Sequence, residues 1–462
     1  MKEIVIIGAG PGGYFTALKL SSQGFRVTVV DKSFIGGTCL NVGCIPTKTL
    51  LDTFSTKEHF NDFIKKGVFE GSCNLNLEKL RSLQAEVIKQ LSFGIEKLFQ
   101  KNKVRFIPGE AKILSENKIL VRSQEQTIEL FADEIIIATG SRPKPVPTFT
   151  FDKKFILSSD DIWNIPEVPE SLLIIGSGPI GIEFARVFKS LGTKVTVAEI
   201  KEFICPILDK EISENLVRSL KKREIVLKSN VASKFVSIEN KKVKVEFLST
   251  INSDKESGEF DRVLVAVGRV PNTENLGLEN TGIETEPQGF IKVDKFLQTT
   301  KHHIWAIGDI TPYPQLAHTA SFQARVVAEN IQGRKKEFDG RFIPASIYGY
   351  PEIAFVGETE ESLKEKNIPY KAGKALFLAS GKAKASGLTE GIAKVLMCEK
   401  TKQILGAHII GAEASNLIHE IVIAMQNSLT VDNLLNCIHA HPTYSETLYE
   451  AIESCVGESA HA

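Results

Sequence analysis

Two cysteines five residues apart, Cys39 and Cys44, stand in the stretch Gly36-Gly37-Thr38-Cys39-Leu40-Asn41-Val42-Gly43-Cys44-Ile45-Pro46-Thr47-Lys48. Two sulfurs so close in sequence, packed among glycines, suit thiol–disulfide exchange better than core filling. A regular helix would hold their Cα atoms roughly 8–9 Å apart, whereas a disulfide spans about 4.4–6.8 Å. A bridge therefore needs a distorted turn, and Pro46 helps because it lacks the N–H that would bond back to Val42. The competing reading is two unpaired thiols at a chance spacing. A second constellation closes the chain, His439-Ala440-His441-Pro442-Thr443-Tyr444-Ser445-Glu446. A carboxylate near an imidazole fixes its tautomer and stabilises its charged form, as a general base needs. Surface histidines at a capped helix start are the alternative there.

The elements that must position these groups include a duplicated unit. Ile4 to Ile7, then Gly8-Ala9-Gly10-Pro11-Gly12-Gly13, leads to Val27-Thr28-Val29-Val30-Asp31. Leu172 to Ile175, then Gly176-Ser177-Gly178-Pro179-Ile180-Gly181, leads to Val195-Thr196-Val197-Ala198-Glu199 at a constant offset of 168 residues. Each copy reads strand, glycine turn, helix, strand. The glycines permit a tight turn and let a helix N-terminus approach a pyrophosphate, and the terminal acid reaches ribose hydroxyls. Two dinucleotide sites in one chain imply a relay. With a disulfide beside the first, the economical arrangement is flavin at the first site and nicotinamide at the second. Glu199 favours NAD over NADP, because it would repel a 2′-phosphate.

Elsewhere, Glu78 to Lys101 carries Leu80, Leu83, Val87, Leu91, Ile95 and Leu98 at helical spacing and predicts one amphipathic helix. Ala132 to Ala138 predicts a buried strand, and Pro143 to Pro147 a crossover between domains. Strands around a polar turn at Asn252 to Gly258 are expected within Lys242 to Val267. Ile304 to Ala306 predicts a buried strand ending near Asp309. Beyond Phe342 several strands precede a helix at about Ala414 to Asn427, with no glycine loop.

At 462 residues, with balanced charge (56 basic, 56 acidic), the composition is that of a multidomain globular protein. It asks for neither nucleic acid nor membrane: no apolar run approaches the ~18–20 residues of a membrane span. The apolar strand at Ile4 leaves no room for a leader, so a cytoplasmic location is expected. Of the seven cysteines, Cys73, Cys205, Cys398 and Cys437 are expected as small apolar residues. No metal site is expected.

Together these segments resemble the flavin-dependent pyridine nucleotide–disulfide oxidoreductases, nearly end to end. Further matching segments are Leu98 to Val104, Ala138-Thr139-Gly140, Gly268-Arg269-Val270-Pro271-Asn272, Leu316-Ala317-His318 and Ile404 to Gly411. The resemblance implies an α/β fold with two Rossmann-like dinucleotide-binding domains plus a C-terminal α+β dimerisation domain. Its expected boundaries are 1–145 (FAD, first part), 146–271 (NAD), 272–341 (FAD, second part) and 342–462 (dimerisation).

Cys39 would be the interchange thiol, and Cys44 would lie over the flavin. Lys48 would pair with Glu183 at the flavin edge. Gly8, Gly10, Gly13, Asp31, Lys32, Gly37, Thr38, Lys48, Ala111, Thr139, Gly140, Ser141, Asp309 and Ala317 would line the FAD site. Gly176, Gly178, Ile180, Gly181, Glu199, Val231, Gly268 and Arg269 would line the NAD site. His441, polarised by Glu446, would be the acid/base, reaching the Cys39 side from the partner of a homodimer.

The implied reaction is ping-pong oxidation of protein-bound dihydrolipoamide with reduction of NAD+. The implied partners are lipoyl domains of 2-oxoacid dehydrogenase or glycine cleavage complexes. The alternative within the family is an NAD(P)H-dependent reductase of another disulfide or of a metal substrate, of the glutathione or mercuric type. Glu199 argues against the first. A lone Cys455, where the second type carries a vicinal pair, argues against the other. The chain departs from the family pattern at Pro179, where an apolar or tyrosine gate is frequent. It departs again at Ser321-Phe322-Gln323, where acids are frequent, and at Ser380 to Ala383, where an Arg-Ala pair is common.

Overall fold

The structure is a computed structural model that describes residues 1–459. The chain opens with β1 (Glu3–Ile7), α1 (Pro11–Ser21) and β2 (Arg26–Asp31), then the short α2 (Gly37–Asn41) and the long α3 (Cys44–Lys65) and α4 (Leu77–Lys101). It continues through β3 (Arg105–Pro108), β4 (Glu110–Ser115), β5 (Lys118–Arg122), β6 (Thr127–Phe131), β7 (Glu134–Ile137) and β8 (Ser141–Pro143). The second glycine unit follows β9 (Ile156–Leu157) and comprises β10 (Ser171–Ile175), α5 (Pro179–Ser190) and β11 (Lys194–Ala198). After it come α6 (Lys210–Lys222), β12 (Val226–Lys228), β13 (Val231–Glu239), β14 (Lys242–Ser249), β15 (Lys255–Phe260) and β16 (Arg262–Val265).

The chain then runs through β17 (Arg269–Pro271), β18 (Ile304–Ala306) and α7 (Ala317–Ile331). The last stretch holds β19 (Ala345–Ile347), β20 (Ile353–Gly357), α8 (Glu360–Glu365), β21 (Tyr370–Leu376), α9 (Gly381–Ser386), β22 (Ile392–Cys398) and β23 (Ile404–Ile410). Helices α10 (Ala414–Gln426), α11 (Val431–Leu435) and α12 (Ser445–Val456) end it. Among the described residues no helix is long and apolar enough to cross a membrane.

Two compact units divide the chain. The first combines Met1–Lys144 with Arg269–Gly340, the second Pro145–Gly268 with Arg341–Ala462. In the first unit β18, β7, β1, β2 and β3 form a parallel sheet in that order. Its central strands are apolar on both faces because both faces are covered, and Ile4, Ile6 and Ile135 to Ile137 are buried.

The second unit repeats the arrangement as β12, β11, β10, β16 and β9. The duplication extends to register: Glu3 pairs with Arg26 in the first unit, Ser171 with Lys194 in the second. In both, proline occupies the first turn of the helix, where its missing N–H costs nothing. The second unit also holds an antiparallel sheet in the order β19, β20, β23, β22, β21, with α10 and α12 packed on it around Phe377, Val395, Ile418 and Leu448.

Three sequence readings change. The helix α4 forms, capped by Asn76, whose side chain accepts the Lys79 N–H. Its buried face, however, is Leu80, Ile95 and Phe99, and Leu83, Leu91 and Leu98 are exposed. Periodicity marks an apolar stripe without saying how much of it is covered. Gly258 lies in β15 rather than in the expected turn. Cys437 is exposed rather than apolar filler.

Candidate redox site

The two cysteines flank a break between helices. The first, α2, closes with the Val42 N–H bonded to Thr38 O at 3.0 Å, and α3 starts at Cys44. The residue that permits the break is Gly43. A Cβ there would stand 3.0 Å from Thr38 O and 3.3 Å from the Cys39 Cα, so a side chain would have to push the end of α2 back from the start of α3. Pro46 falls in the first turn of α3, where the N–H has no helical acceptor, so the role expected of it belongs to Gly43.

The Cys39 and Cys44 side chains are hydrogen-bonded to each other, and both residues are half-buried thiols. That bond, then burial, then the charge of Cys44 push Cys39 far up, while Lys48 pulls against them. A bond that raises a thiol's pKa is one it donates. The neutral form of Cys39 is favoured by that bond and by its burial. Cys39 also lines a cleft of about 520 Å³ with Tyr14, Phe15, Ala317, Phe322 and Arg325.

Both glycine turns are closed below and open above. A Cβ on Gly8 would meet Ala138 O at 2.2 Å, and one on Gly176 would meet Ala266 O at 2.5 Å. On the helix side, Gly13 packs on Gly8 O and Gly181 on Gly176 O in the same manner. Above Gly178 nothing lies within 4 Å, and above Gly10 the nearest atom is 3.9 Å away. Neither Gly10 nor Gly178 has a side chain that could cap its helix and occupy the first-turn N–H groups. Such a cradle fits a dinucleotide pyrophosphate.

The terminal acids are oriented alike. Asp31 accepts the N–H groups of Ala9 and Ser33, each at 2.7 Å. Glu199, buried, accepts the Ser177 N–H (2.9 Å), the Ser177 hydroxyl (2.6 Å) and the Lys201 N–H (3.0 Å). Val231 opens β13 with its N–H on Glu199 O at 3.0 Å. Lys32 and Thr38 are exposed, Gly37 and Ile180 half-buried, and Ala111 is buried in β4. Gly140 and Gly268 both face open space.

A third cluster joins residues that the sequence assigned to different cofactors. Ser141 Oγ donates to Asp309 Oδ2 at 2.5 Å, and Arg269 donates from Nε to Ser141 Oγ and from Nη2 to Ser141 O, each at 2.7 Å. Arg269 was expected with nicotinamide, yet it lies among residues expected with the flavin. Burial raises the Asp309 carboxyl, against the Ser141 bond and the Arg269 charge. Next to it, Asn272 grips Thr139 twice, donating from Nδ2 to Thr139 O and accepting the Thr139 hydroxyl on its carbonyl. Sequence reasoning quoted Asn272 without giving it this task.

In the second unit, His441 Nδ1 lies 2.8 Å from Glu446 Oε1, and the Thr443 N–H donates to Glu446 Oε2 at 2.8 Å. Partial burial pushes Glu446 up, but the Thr443 N–H and His441 hold it below the usual carboxylate value. The imidazole is 77% exposed, so its far edge faces solvent. His439 is engaged differently: its Nε2 lies 3.0 Å from Glu420 Oε1, and its ring packs 4.7 Å from that of Tyr449. Glu183, on the first turn of α5, accepts the Tyr348 N–H at 3.1 Å. Lys48, one turn after Cys44, belongs to the first unit.

Paired parallel sheets with glycine turns, a cysteine pair and an antiparallel α+β domain define a class, and the chain matches that class by sequence. Residues 2–324 match the model of the pyridine nucleotide-disulphide oxidoreductases, and residues 343–452 match that family's dimerisation domain. The chain belongs to this family, and FAD and NAD are its cofactors.

Among its relatives is the mitochondrial dihydrolipoyl dehydrogenase of Sus scrofa, 37% identical over 97% of this chain and 89% of that protein. Another is the dihydrolipoyl dehydrogenase of Buchnera aphidicola, 36% identical over 98% and 95%. In three dimensions the chain is similar to LpdA from Mycobacterium tuberculosis, with a TM-score of 0.90 at 26% identity over 98% of this chain and 99% of that one. It is also similar to the HOCl-induced flavoprotein disulfide reductase RclA from Escherichia coli in its Cu(II) complex, with a TM-score of 0.88 at 28% identity and the same coverage.

Proposed function

We propose that this enzyme oxidises protein-bound dihydrolipoamide to lipoamide and reduces NAD+ to NADH. The observation that carries the reading is the Cys39–Cys44 pair, mutually bonded at a helix break with Cys39 opening on a cleft. The names of the pig and Buchnera relatives support the substrate.

A substrate thiolate attacks Cys39 Sγ of the Cys39–Cys44 disulfide. That S–S bond breaks, and Cys44 leaves as thiolate. The second substrate sulfur attacks the resulting mixed disulfide, closing the lipoyl ring and releasing Cys39, which takes up a proton. His441, with Nδ1–H held by Glu446, accepts one substrate proton at Nε2, and the other ends on Cys39 as its sulfur is released. FAD, when bound, supplies the two-electron relay between this dithiol and NAD+.

In the proposed assignment residues 1–145 and 272–341 hold FAD and residues 146–271 hold NAD. Lys48 and Glu183 pair at the flavin edge, and residues 342–462 form a homodimer that brings His441 to the Cys39 of the other copy. Lipoyl domains are the proposed carriers of the substrate, in a cytoplasmic setting. The test is anaerobic mixing of the FAD-loaded enzyme with dihydrolipoamide and then NAD+, reading NADH. Cys39→Ser abolishes NADH formation, and Glu446→Gln slows reduction by dihydrolipoamide by about 10²-fold. Reduction by NADH without reduction by dihydrolipoamide would transfer the enzyme to another disulfide.

A further inference from the structure

The segment Tyr348-Gly349-Tyr350 is gripped by α5 and α6 in a way the chemistry above does not use. Glu183 and Arg186 lie one turn apart on α5, and both are buried. Glu183 takes the Tyr348 N–H, and Arg186 Nη1 donates to Gly349 O at 2.8 Å. Two guanidinium groups then lie over the Tyr350 ring, that of Arg186 at 5.0 Å and that of Arg223 at 4.1 Å.

Arg223 is itself fixed, by a fork on Glu390 (3.3 and 3.1 Å) and by a 2.6 Å bond from Nη1 to Ser219 Oγ. Ser219 Oγ in turn donates to Tyr350 O at 2.7 Å. A planar guanidinium can stack on an aromatic face while its N–H fork is engaged. Ring, carbonyl and the neighbouring amide of the segment are therefore all held at once.

A carboxylate as buried as that of Glu183 needs a fixed donor to keep one orientation. We infer that Tyr350, held by Arg186, Arg223 and Ser219, is a positioning residue for the nicotinamide half of the reaction. It fixes the Tyr348 N–H that aims Glu183 at the flavin edge. This rests on the activity and the Glu183 role proposed above. The dithiol half, carried by Cys39, Cys44 and His441, does not pass through the clamp.

The test uses the FAD-loaded full chain. Hydrogen exchange of the peptide containing Tyr348, measured without nucleotide, reads the Glu183 bond directly. Stopped flow reads reduction by NADH and by dihydrolipoamide separately. In Tyr350→Ala, exchange at Tyr348 accelerates and the NADH half-reaction slows, each by about tenfold, while the dithiol half-reaction stays within about twofold. Tyr350→Phe, which keeps the ring, restores wild-type behaviour. Arg223→Lys keeps the charge but loses the fork, and it shifts the same two readouts in the same direction; it carries the comparison if Tyr350→Ala does not fold. Unchanged exchange and NADH rate in Tyr350→Ala, or an equal fall in both half-reactions, overturns the inference. A wild type that dihydrolipoamide fails to reduce would sink the proposed activity instead, and the NADH comparison would still decide on the clamp.

Discussion

Replacing Lys394 by methionine tests how the second unit holds its buried charge. The Lys394 side chain is 2% exposed, and its Nζ lies 2.7 Å from Asp209, 3.1 Å from Glu360 and 3.2 Å from Glu211. Asp209 is fully buried and also caps α6, accepting the N–H groups of Glu211 and Glu360 at 3.1 Å each. Methionine keeps the length of the stem, so what is lost is the cation. Removing one partner of a buried pair costs about 3–5 kcal/mol. Glu211 and Glu360 are partly exposed and can draw water toward Asp209, so the lower end, about 3 kcal/mol, is expected. In a unit of this size that is a fall of about 6–12 °C in Tm, measured by scanning calorimetry at a fixed rate. Asp209→Asn falls similarly, and the double variant recovers at least about 1 kcal/mol of the summed loss, because the two sites are coupled. Costs that simply add, or a Lys394→Met loss under about 1 kcal/mol, would refute the reasoning.

The pH dependence of the same cluster has a definite sign. Burial pushes the Asp209 carboxyl up, but the bond and charge of Lys394 outweigh it and hold the group below its ordinary 3.8. Its contribution is present above that value and is lost as pH falls through the lowered one. Burial would lower Lys394, but Asp209 and Glu360 raise it above 10.5, so its share is present below 10.5 and is lost as pH climbs through the raised value. His408, fully buried, is lowered from 6.5 by desolvation, so its neutral form favours the fold and stability declines as pH drops below that value. Stability from this cluster is therefore flat between 6.5 and 10.5. In Lys394→Met the cation that holds Asp209 down is gone, so this group's share of the acid loss shrinks.

Two further substitutions bear on the site. Gly43→Ala places a methyl 3.0 Å from Thr38 O, which parts α2 from α3 and moves Cys39 off Cys44. The expected result is about a 10²-fold slower dithiol half-reaction with reduction by NADH retained, and equal rates with either donor would contradict it. Glu199→Gln keeps one oxygen for the Ser177 bonds, loses the acceptor of the Lys201 N–H, and removes the charge proposed to face the ribose. KM for NAD+ rises about tenfold with kcat preserved, and discrimination against NADP+ relaxes; steady-state kinetics with both nucleotides checks it.

What was legible in the sequence is chemistry carried by short windows. The glycine units announce themselves because strand, turn, helix and acid lie within one continuous stretch, and the shared offset reappears as shared strand register. The cysteine loop was legible for the same reason, down to the need for a break in the helix. Which residue makes the break was not. Pro46 is the stronger local signal, but Gly43 is the residue whose side chain would strike Thr38, and that clash exists only once α2 and α3 are folded against each other. The apolar stripe of α4 likewise shows which residues align, whereas coverage of Leu83, Leu91 and Leu98 depends on neighbours the pattern does not encode.

The positioning layer was illegible because it is built from pairs far apart in the chain. Ser141 and Arg269 are 128 residues apart, and Asp209 and Lys394 are 185 apart. Asp209 and Lys394 read on their own as a helix cap and a strand lysine, and Ser141 and Arg269 were expected with two different cofactors. Their roles arise from burial, since a charge removed from water must find a partner wherever the fold supplies one. Placing Arg269 against Ser141 and Asp309 shows the consequence for reading sites. A family motif fixes that an arginine stands after Gly268, while only the packed structure shows that it bonds Ser141. Reactive groups in this enzyme can thus be read from local spacing, and the residues that aim them must be read from the fold.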